Sequence, residues 1–300
     1  MAEWEGKSLG TPAGYSFFIF LMDYFGLYPA YLFLYIVVFY YFIFSVKTSR
    51  HAYSFFRKRM GWGRVKSVLK LYRSYYMIGQ LLIDKVAVMG GFSKKFTSES
   101  FGAENLKTLV AQKKGGILLG SHLGNWEIAG HYIMHYDNKI NFLVYDAEHK
   151  HIKEYLDSVV GGKKFNIIPI KDDISHVYAI SEALERNELI CTHADRFING
   201  NRTQLASFMG EDAQFPIGPF QIIKTFKAPY TFVYGIKKGA THYNFFARPL
   251  RYVEPGTTIE GMVKDYAADL EGMVKQYPEQ WFNYYDFWKK PEPYAANIRK

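Results

Sequence analysis

Residues 115–127 read Gly115-Gly116-Ile117-Leu118-Leu119-Gly120-Ser121-His122-Leu123-Gly124-Asn125-Trp126-Glu127. Ile117 to Leu119 is a short apolar run bounded by glycines, which reads as a buried strand. From Asn125 onward Trp126, Ile128, Ala129, Tyr132 and Ile133 recur at helical spacing. The peptide is therefore strand, tight turn, helix, with His122 on the turn. Gly124 lets the turn close without a Cβ clash. Asn125 suits the helix cap, and Glu127 falls in the first turn, where the helix dipole favours a carboxylate.

That geometry suggests chemistry. Glu127 lies five residues past His122, across the turn, and a carboxylate there can accept a hydrogen bond from one imidazole nitrogen. The other nitrogen is then fixed as an outward-facing base, able to take a proton from a hydroxyl. The plainer reading is a surface histidine beside a helix-capping glutamate. The spacing alone fits both.

His-Leu-Gly-Asn-Trp-Glu after an apolar strand resembles the signature of the lipid A biosynthesis late acyltransferases, within the wider lysophospholipid and glycerolipid acyltransferase superfamily. The resemblance implies that His122 is the general base and that Glu127 orients it. The Gly-Asn-Trp interior is more specific than the outer histidine and acid.

About half of the 300 residues are hydrophobic, and 18% are aromatic. Many of the Tyr and Phe residues lie in the first ninety positions, a pattern of membrane interfaces. The one cysteine, Cys191, excludes a disulfide framework and a Cys-rich zinc site, and reads as a buried strand residue. Residues 1–14 carry no cleavable signal pattern. Two apolar stretches follow. Tyr15 to Leu27 is interrupted by Asp23 and Gly26; Ala30 to Val46 is seventeen residues without a charge. As helix the second is about 25 Å long, slightly short of a hydrocarbon core of about 30 Å. It fits a tilted span, a hairpin dipped into one leaflet, or a buried core helix.

Lys47 to Ile83 holds nine Lys or Arg and no Asp or Glu, which equals the net charge of +9 for the whole chain. A basic cluster after an apolar anchor marks the cytoplasmic side and attracts anionic phospholipid. No nucleic-acid-binding motif accompanies it. Val65 to Met89 has helical periodicity.

Beyond that segment the pattern alternates. Helices are expected over Gly102–Lys113, from Asn125 through His135, over His149–Val160 and over Asp172–Arg186, the last with Ile174, Val177, Tyr178, Ile180 and Leu184 inward. Strands are expected at Asn141–Tyr145, Phe165–Ile170 and Glu188–His193. His131 and His135 lack the glutamate of a zinc-protease pattern and read as ordinary helix residues. This is an α/β fold, with a mainly parallel sheet flanked by helices and a hydrophobic N-terminal anchor. Such sheets bind ligands beyond the carboxyl ends of their strands. His122 lies at one such end. So do His193, a weaker candidate, Asp195 and Arg196.

By resemblance, Arg196 contacts the acyl donor or a phosphate and Asp195 holds it. Phe208 to Pro219 resembles the family block with Phe-Pro-x-Gly before a helix; Pro216 fits a first helical turn, and Gly218 permits close approach of an acyl chain or backbone. Gln221–Lys227 continues as helix. Pro229–Gly235 and His242–Arg248 read as an antiparallel hairpin at the sheet edge, and Thr258–Tyr277 as an amphipathic helix. Tyr277 to Trp288 matches the family's Pro-Glu-Gln block, but the His-x-Arg that usually follows in the family is missing, with Asn283, Tyr284 and Asp286 nearby.

The expected organisation is an anchor over 1–46, a basic membrane-facing region over 47–100 and a catalytic domain over 101–300. The expected reaction joins a hydroxyl of a lipid A precursor to an acyl chain carried as a thioester, on the cytoplasmic face of the inner membrane. Backbone amides near Gly124 and Asn125, or Arg196, are candidates for stabilising the oxyanion. Acyl carrier protein is favoured over coenzyme A as donor, and no metal or redox cofactor is expected. The alternatives are another lipid or polyene acceptor, or a non-catalytic lipid-binding protein on the same fold.

Overall fold

The computed structural model describes residues 12–89, 91–126, 128, 138–145, 165–171, 173–197 and 201–289. The expected helix through His131 and His135, the expected helix His149–Val160, and Glu127 lie outside the described residues, apart from the helix's first turn at Trp126 and Ile128.

The chain opens with helices α1 (Pro12–Phe25), α2 (Leu27–Phe44) and α3 (Val46–Ser54), a π-helical turn at Phe55–Arg59, and the long α4 (Arg64–Met89). Gly26, at φ +87°, makes the corner between α1 and α2, a conformation that only glycine adopts without strain. Pro29 falls in the first turn of α2, where no intrahelical bond is lost.

The α/β part follows as β1 (Thr97–Phe101), α5 (Ala103–Ala111), β2 (Gly116–Gly120), β3 (Ile140–Tyr145), β4 (Phe165–Ile170), α6 (Ser175–Glu185), β5 (Leu189–His193), β6 (Thr203–Phe208), β7 (Glu211–Pro216), α7 (Gly218–Phe226), β8 (Tyr230–Lys237), β9 (His242–Ala247) and α8 (Ile259–Gln276). Seven strands form one sheet in the order β1-β9-β8-β2-β5-β3-β4. Among the described strand pairs of this sheet, β8–β9 is antiparallel and the others are parallel.

Strand β2 is central and buried at every position. Ile117 and Leu119 join the core on one face of the sheet, and Leu118 joins Leu109, Phe142 and Cys191 on the other. Burial on both faces is why this strand is continuously apolar instead of alternating. Helix α8 is capped by Thr258, whose Oγ1 accepts from the Gly261 N–H at 3.0 Å, and its stripe from Met262 to Val274 is buried as expected.

Several local expectations change. The β8–β9 hairpin is not the edge, because β1 pairs parallel with β9 and covers it. Residues 203–216 form a two-stranded antiparallel hairpin, β6–β7, turning at Met209-Gly210. Pro216 therefore ends a strand, and Pro219 takes the place in the first turn of α7. On α6, Ile180 and Leu184 are buried, but Ile174 and Tyr178 are exposed. Ile174 precedes the helix, and Tyr178 lies on its outer face.

Helix α2 buries one stripe, Leu27, Ala30, Tyr31, Leu34 and Val38, at helical spacing. It packs along α4. Gly79 makes room for Leu34; a Cβ there would lie 2.6 Å from Leu34 Cδ1. Tyr76 donates to the Tyr31 carbonyl at 3.1 Å and stacks on Tyr35, while Tyr72 donates to the Tyr35 carbonyl at 3.2 Å. The other face of α4 meets the α/β part, where Tyr75 stacks on Tyr284 and Ser74 shares a hydrogen bond with the Tyr284 hydroxyl.

The basic segment is not unopposed in three dimensions. Arg59 pairs with Glu211, and Lys70 and Arg73 both pair with Glu279. Arg50, Lys58, Arg64 and Lys66 are exposed.

Candidate active site

Strands β2 and β5 are neighbours, with Gly120 opposite His193. The chain leaves β2 for β3, which lies beyond β5, and leaves β5 for a route that ends at β8, beyond β2. Connections diverging from adjacent parallel strands open a crevice at their carboxyl ends. His122 and Asp195 each lie two residues past the paired positions Gly120 and His193, so both enter that crevice.

Asp195 holds His122 twice. Oδ2 accepts from the His122 backbone N–H at 2.8 Å, and Oδ1 bonds His122 Nδ1 at 2.8 Å. The Asp195 side chain is 2% exposed and that of His122 22%. Burial works to raise the Asp195 carboxyl, but His122 and Arg196 hold it well below the usual carboxylate range. An ionised carboxylate only accepts, so Nδ1 carries the imidazole proton and Nε2 is left with its lone pair. Burial, and then the Arg196 charge, lower the His122 pKa against the opposing pull of Asp195. The imidazole is therefore neutral and basic at Nε2 near neutral pH.

The surroundings are aromatic. The His193 ring meets His122 at 4.4 Å and Trp126 at 5.2 Å, between ring centres. Burial, and then the His122 charge, push the His193 pKa down to about 3, so it is a neutral packing partner. Trp126, His193, Leu118, Phe142 and Cys191 line an apolar cavity beside the site. Ser121 also lines it, and among the described residues its buried Oγ has no hydrogen-bond partner. Arg196 donates through Nη2 to the Phe282 carbonyl at 2.6 Å and lies over the Tyr285 ring at 5.8 Å. The C-terminal block thus supplies Phe282 and Tyr285 to the arginine.

The turn is clamped from both sides. Gly124, at φ +75°, approaches β8 so closely that a Cβ would lie 2.1 Å from the Gly235 carbonyl oxygen. The Asn125 N–H donates to that oxygen at 2.7 Å, and the Gly124 N–H to the Gln280 carbonyl at 2.9 Å. Both amides are taken, so they are not donors for an oxyanion, contrary to expectation. Asn125 is the helix cap the sequence suggests: its Oδ1 accepts from the Ile128 N–H at 3.2 Å. Gln280 pairs with Lys237 through both its amide oxygen and nitrogen, at 2.9 and 2.8 Å, and the Phe282 N–H reaches the His122 carbonyl at 3.2 Å.

His122, Gly124, Asn125, Asp195 and Arg196 therefore gather at the ends of β2 and β5. Pro216 and Gly218 belong to the β6–β7 sheet and the helix after it. A Cβ at Gly218 would meet nothing within 4 Å, so close approach does not explain this glycine. Asp195 is the carboxylate on Nδ1 of His122; the sequence reading gave it to Arg196 instead. Gln280 and Ser121 lie in the quoted stretches, but the sequence reading gave neither a role.

The chain matches the bacterial lipid A biosynthesis acyltransferase family over residues 74–290, a range containing every residue of the cluster. It is also similar to a phosphatidylinositol mannoside acyltransferase of Mycobacterium tuberculosis, 23% identical over 126 residues, covering 40% of this chain and 38% of the relative. With the match running from α4 past Trp288, the chain belongs to the bacterial lipid A biosynthesis acyltransferase family.

Proposed function

We propose that the protein is a membrane-bound O-acyltransferase that moves a fatty acyl chain from a thioester to a hydroxyl of a lipid A precursor at the cytoplasmic face of the inner membrane. The observation that carries this reading is His122, neutral and held through its backbone N–H and Nδ1 by Asp195, in the crevice beside an apolar cavity. Nε2 takes the acceptor hydroxyl proton as the oxygen attacks the thioester carbonyl carbon. The oxyanion that forms faces the positive field of Arg196. The C–S bond then breaks, and the proton passes from His122 to the leaving sulfur, giving a free thiol and a new ester.

Acyl carrier protein is the proposed donor. Such carriers are small and acidic, and the exposed Arg50, Lys58, Arg64 and Lys66 would steer them. With three of the nine charges paired to glutamates, this support is narrower than the sequence suggests. Turnover on each carrier with the same acyl chain, in neutral detergent, tests the donor. Equal activity with acyl-coenzyme A and no salt dependence with the carrier protein would reject it.

A second acceptor class has its own support. The mycobacterial relative is named for a mannosylated inositol lipid, so a different glycolipid acceptor fits the same chemistry. Mass spectrometry of lipids from a deletion strain, complemented with wild type or His122→Ala, separates the readings. Loss of one acyl mass from lipid A, restored only by wild type, supports the lipid A reading. Loss from another lipid replaces the acceptor, and restoration by His122→Ala removes the catalytic role.

A further inference from the structure

Among the described residues, helix α2 is the one long and apolar enough to cross a bilayer. Its N-terminal end, however, is fastened to the α/β part of the molecule, and the chain returns to that part soon after its C-terminal end. At the N-terminal end Leu27 and Tyr31 are buried, and the Tyr31 hydroxyl bonds Asp84 of α4 and the Ala240 carbonyl, 2.9 Å away in the β8–β9 turn. Lys237, the last residue of β8, pairs with Asp84 and lies over the Tyr31 ring. The C-terminal end runs directly into α3 and the π-helical turn, where Phe55 packs on Trp281 and Trp288. Between these points the buried stripe follows α4, which is itself bonded to the α/β part.

A helix of 18 residues is about 27 Å long. To cross a bilayer, it would have to put one end on the far side. With its N-terminal end and the chain soon after its C-terminal end on a water-exposed domain, that would bury the β8–β9 turn or the Trp281–Trp288 block in hydrocarbon.

The outer face of α2 is nonetheless apolar along its length: Leu32, Tyr35, Ile36, Phe39, Ile43 and Phe44 are all at least 48% exposed. A helix hydrophobic on every side needs an apolar environment on its free face. Aromatic residues and the exposed Arg50, Lys58, Arg64 and Lys66 nearby fit a phospholipid headgroup boundary with anionic lipid.

We propose that α2 lies flat along the membrane surface, sunk into one leaflet by this face, and does not span the bilayer. The proposal rests on the membrane location given under the proposed function. It makes the protein monotopic, with residues before and after α2 on the same side as the catalytic crevice. A surface-lying helix also fixes the height of the catalytic turn above the lipid, because the Tyr31–Asp84–Lys237 cluster ties α2 to the strand that Gly124 contacts.

The test uses the full-length protein with single cysteines at Asp23, Arg50 and Lys264, in a Cys191→Ser background. All three positions are exposed, and Asp23 and Arg50 bracket α2. Vesicles of phosphatidylethanolamine and phosphatidylglycerol are floated with the protein first. Absence of flotation defeats the membrane location itself, and the proposal with it. For floating protein, inside-out and right-side-out membrane vesicles are treated with an impermeant maleimide. The expected result is labelling of all three cysteines from one side only. Labelling of Asp23→Cys from the opposite side, or from neither, overturns the proposal while leaving membrane binding intact. The double variant Ile36→Glu with Phe39→Glu should lose flotation by at least tenfold and keep its thermal unfolding. If it still floats but changes from dimer to monomer, the face is a contact between copies and the proposal fails.

Discussion

Asp195 grips His122 at two points, the backbone N–H and Nδ1, each at 2.8 Å. The grip sets the tautomer and the ring direction together, so the aspartate acts through the histidine. Asp195→Asn should keep the fold and lower turnover by about 10⁴-fold, as loss of the tautomer-setting carboxylate does in a serine-protease triad. His122→Ala should cost about 10²–10⁴-fold, the range for a general base. Steady-state kinetics on the purified variants, with circular dichroism as the folding control, decide; near-normal rates would sink the assignment.

Glu127→Ala separates the two acids. The sequence reading makes Glu127 an orienting group, so its loss should lower kcat. With Asp195 already on Nδ1, we expect the Glu127→Ala loss to be smaller than that of Asp195→Asn. The same kinetic assay ranks them, and a larger loss at Glu127 would return the orienting role to it.

Arg196 should set the acid limb of the pH profile. Activity needs neutral His122 and falls as pH drops through its pKa. Burial and the Arg196 charge lower that pKa from its ordinary value of 6.5. The acid limb of kcat/KM should therefore lie below pH 6.5 in the wild type. Arg196→Gln removes a positive charge, makes the imidazolium easier to form, and should move the limb upward. A limb that stays in place while the rate falls would mean that Arg196 does not act through His122.

Gly124→Ala and Gly218→Ala form a matched pair. At Gly124 a Cβ meets the Gly235 carbonyl oxygen at 2.1 Å and φ is +75°. The left-handed backbone alone costs about 1–2 kcal/mol, and the clash adds to it. At about 2–4 °C per kcal/mol for a large domain, Tm should drop several degrees and activity should fall. At Gly218 there is open space at the start of α7, so Tm should hold or rise slightly. Differential scanning calorimetry reads both; equal Tm values would contradict the clash.

Asp84 and Lys237 are 0% and 2% exposed and bonded to each other, with Tyr31 and Tyr243 also bonded to Asp84. Removing one partner leaves a buried charge alone. Lys237→Met should cost about 3–5 kcal/mol, and adding Asp84→Leu should recover part of it. Denaturant unfolding of the single and double variants measures the cycle. Strict additivity would show that the pair is not coupled.

The strand and turn at His122, the glycine that closes it, the Asn125 cap and the mainly parallel α/β character were legible in the sequence. Each is a local matter of periodicity, propensity or backbone freedom, expressed within a dozen residues. The partner of His122 was not. Asp195 is 73 positions away, and it meets His122 because β5, not β3 or β4, pairs with β2 in a register that sets Gly120 opposite His193. Strand order is a property of the whole sheet, and no local pattern around either residue encodes it. The same holds for the Gly124 and Asn125 amides, whose partners come from β8 and the C-terminal block, and for Tyr31, whose hydroxyl crosses to Asp84 and Ala240. Composition determined that α2 needs an apolar environment. Only the tertiary structure shows which side of α2 is covered: its stripe from Leu27 to Val38 packs along α4 and Tyr31 is tied to Asp84 and Ala240, because these partners come from distant parts of the chain.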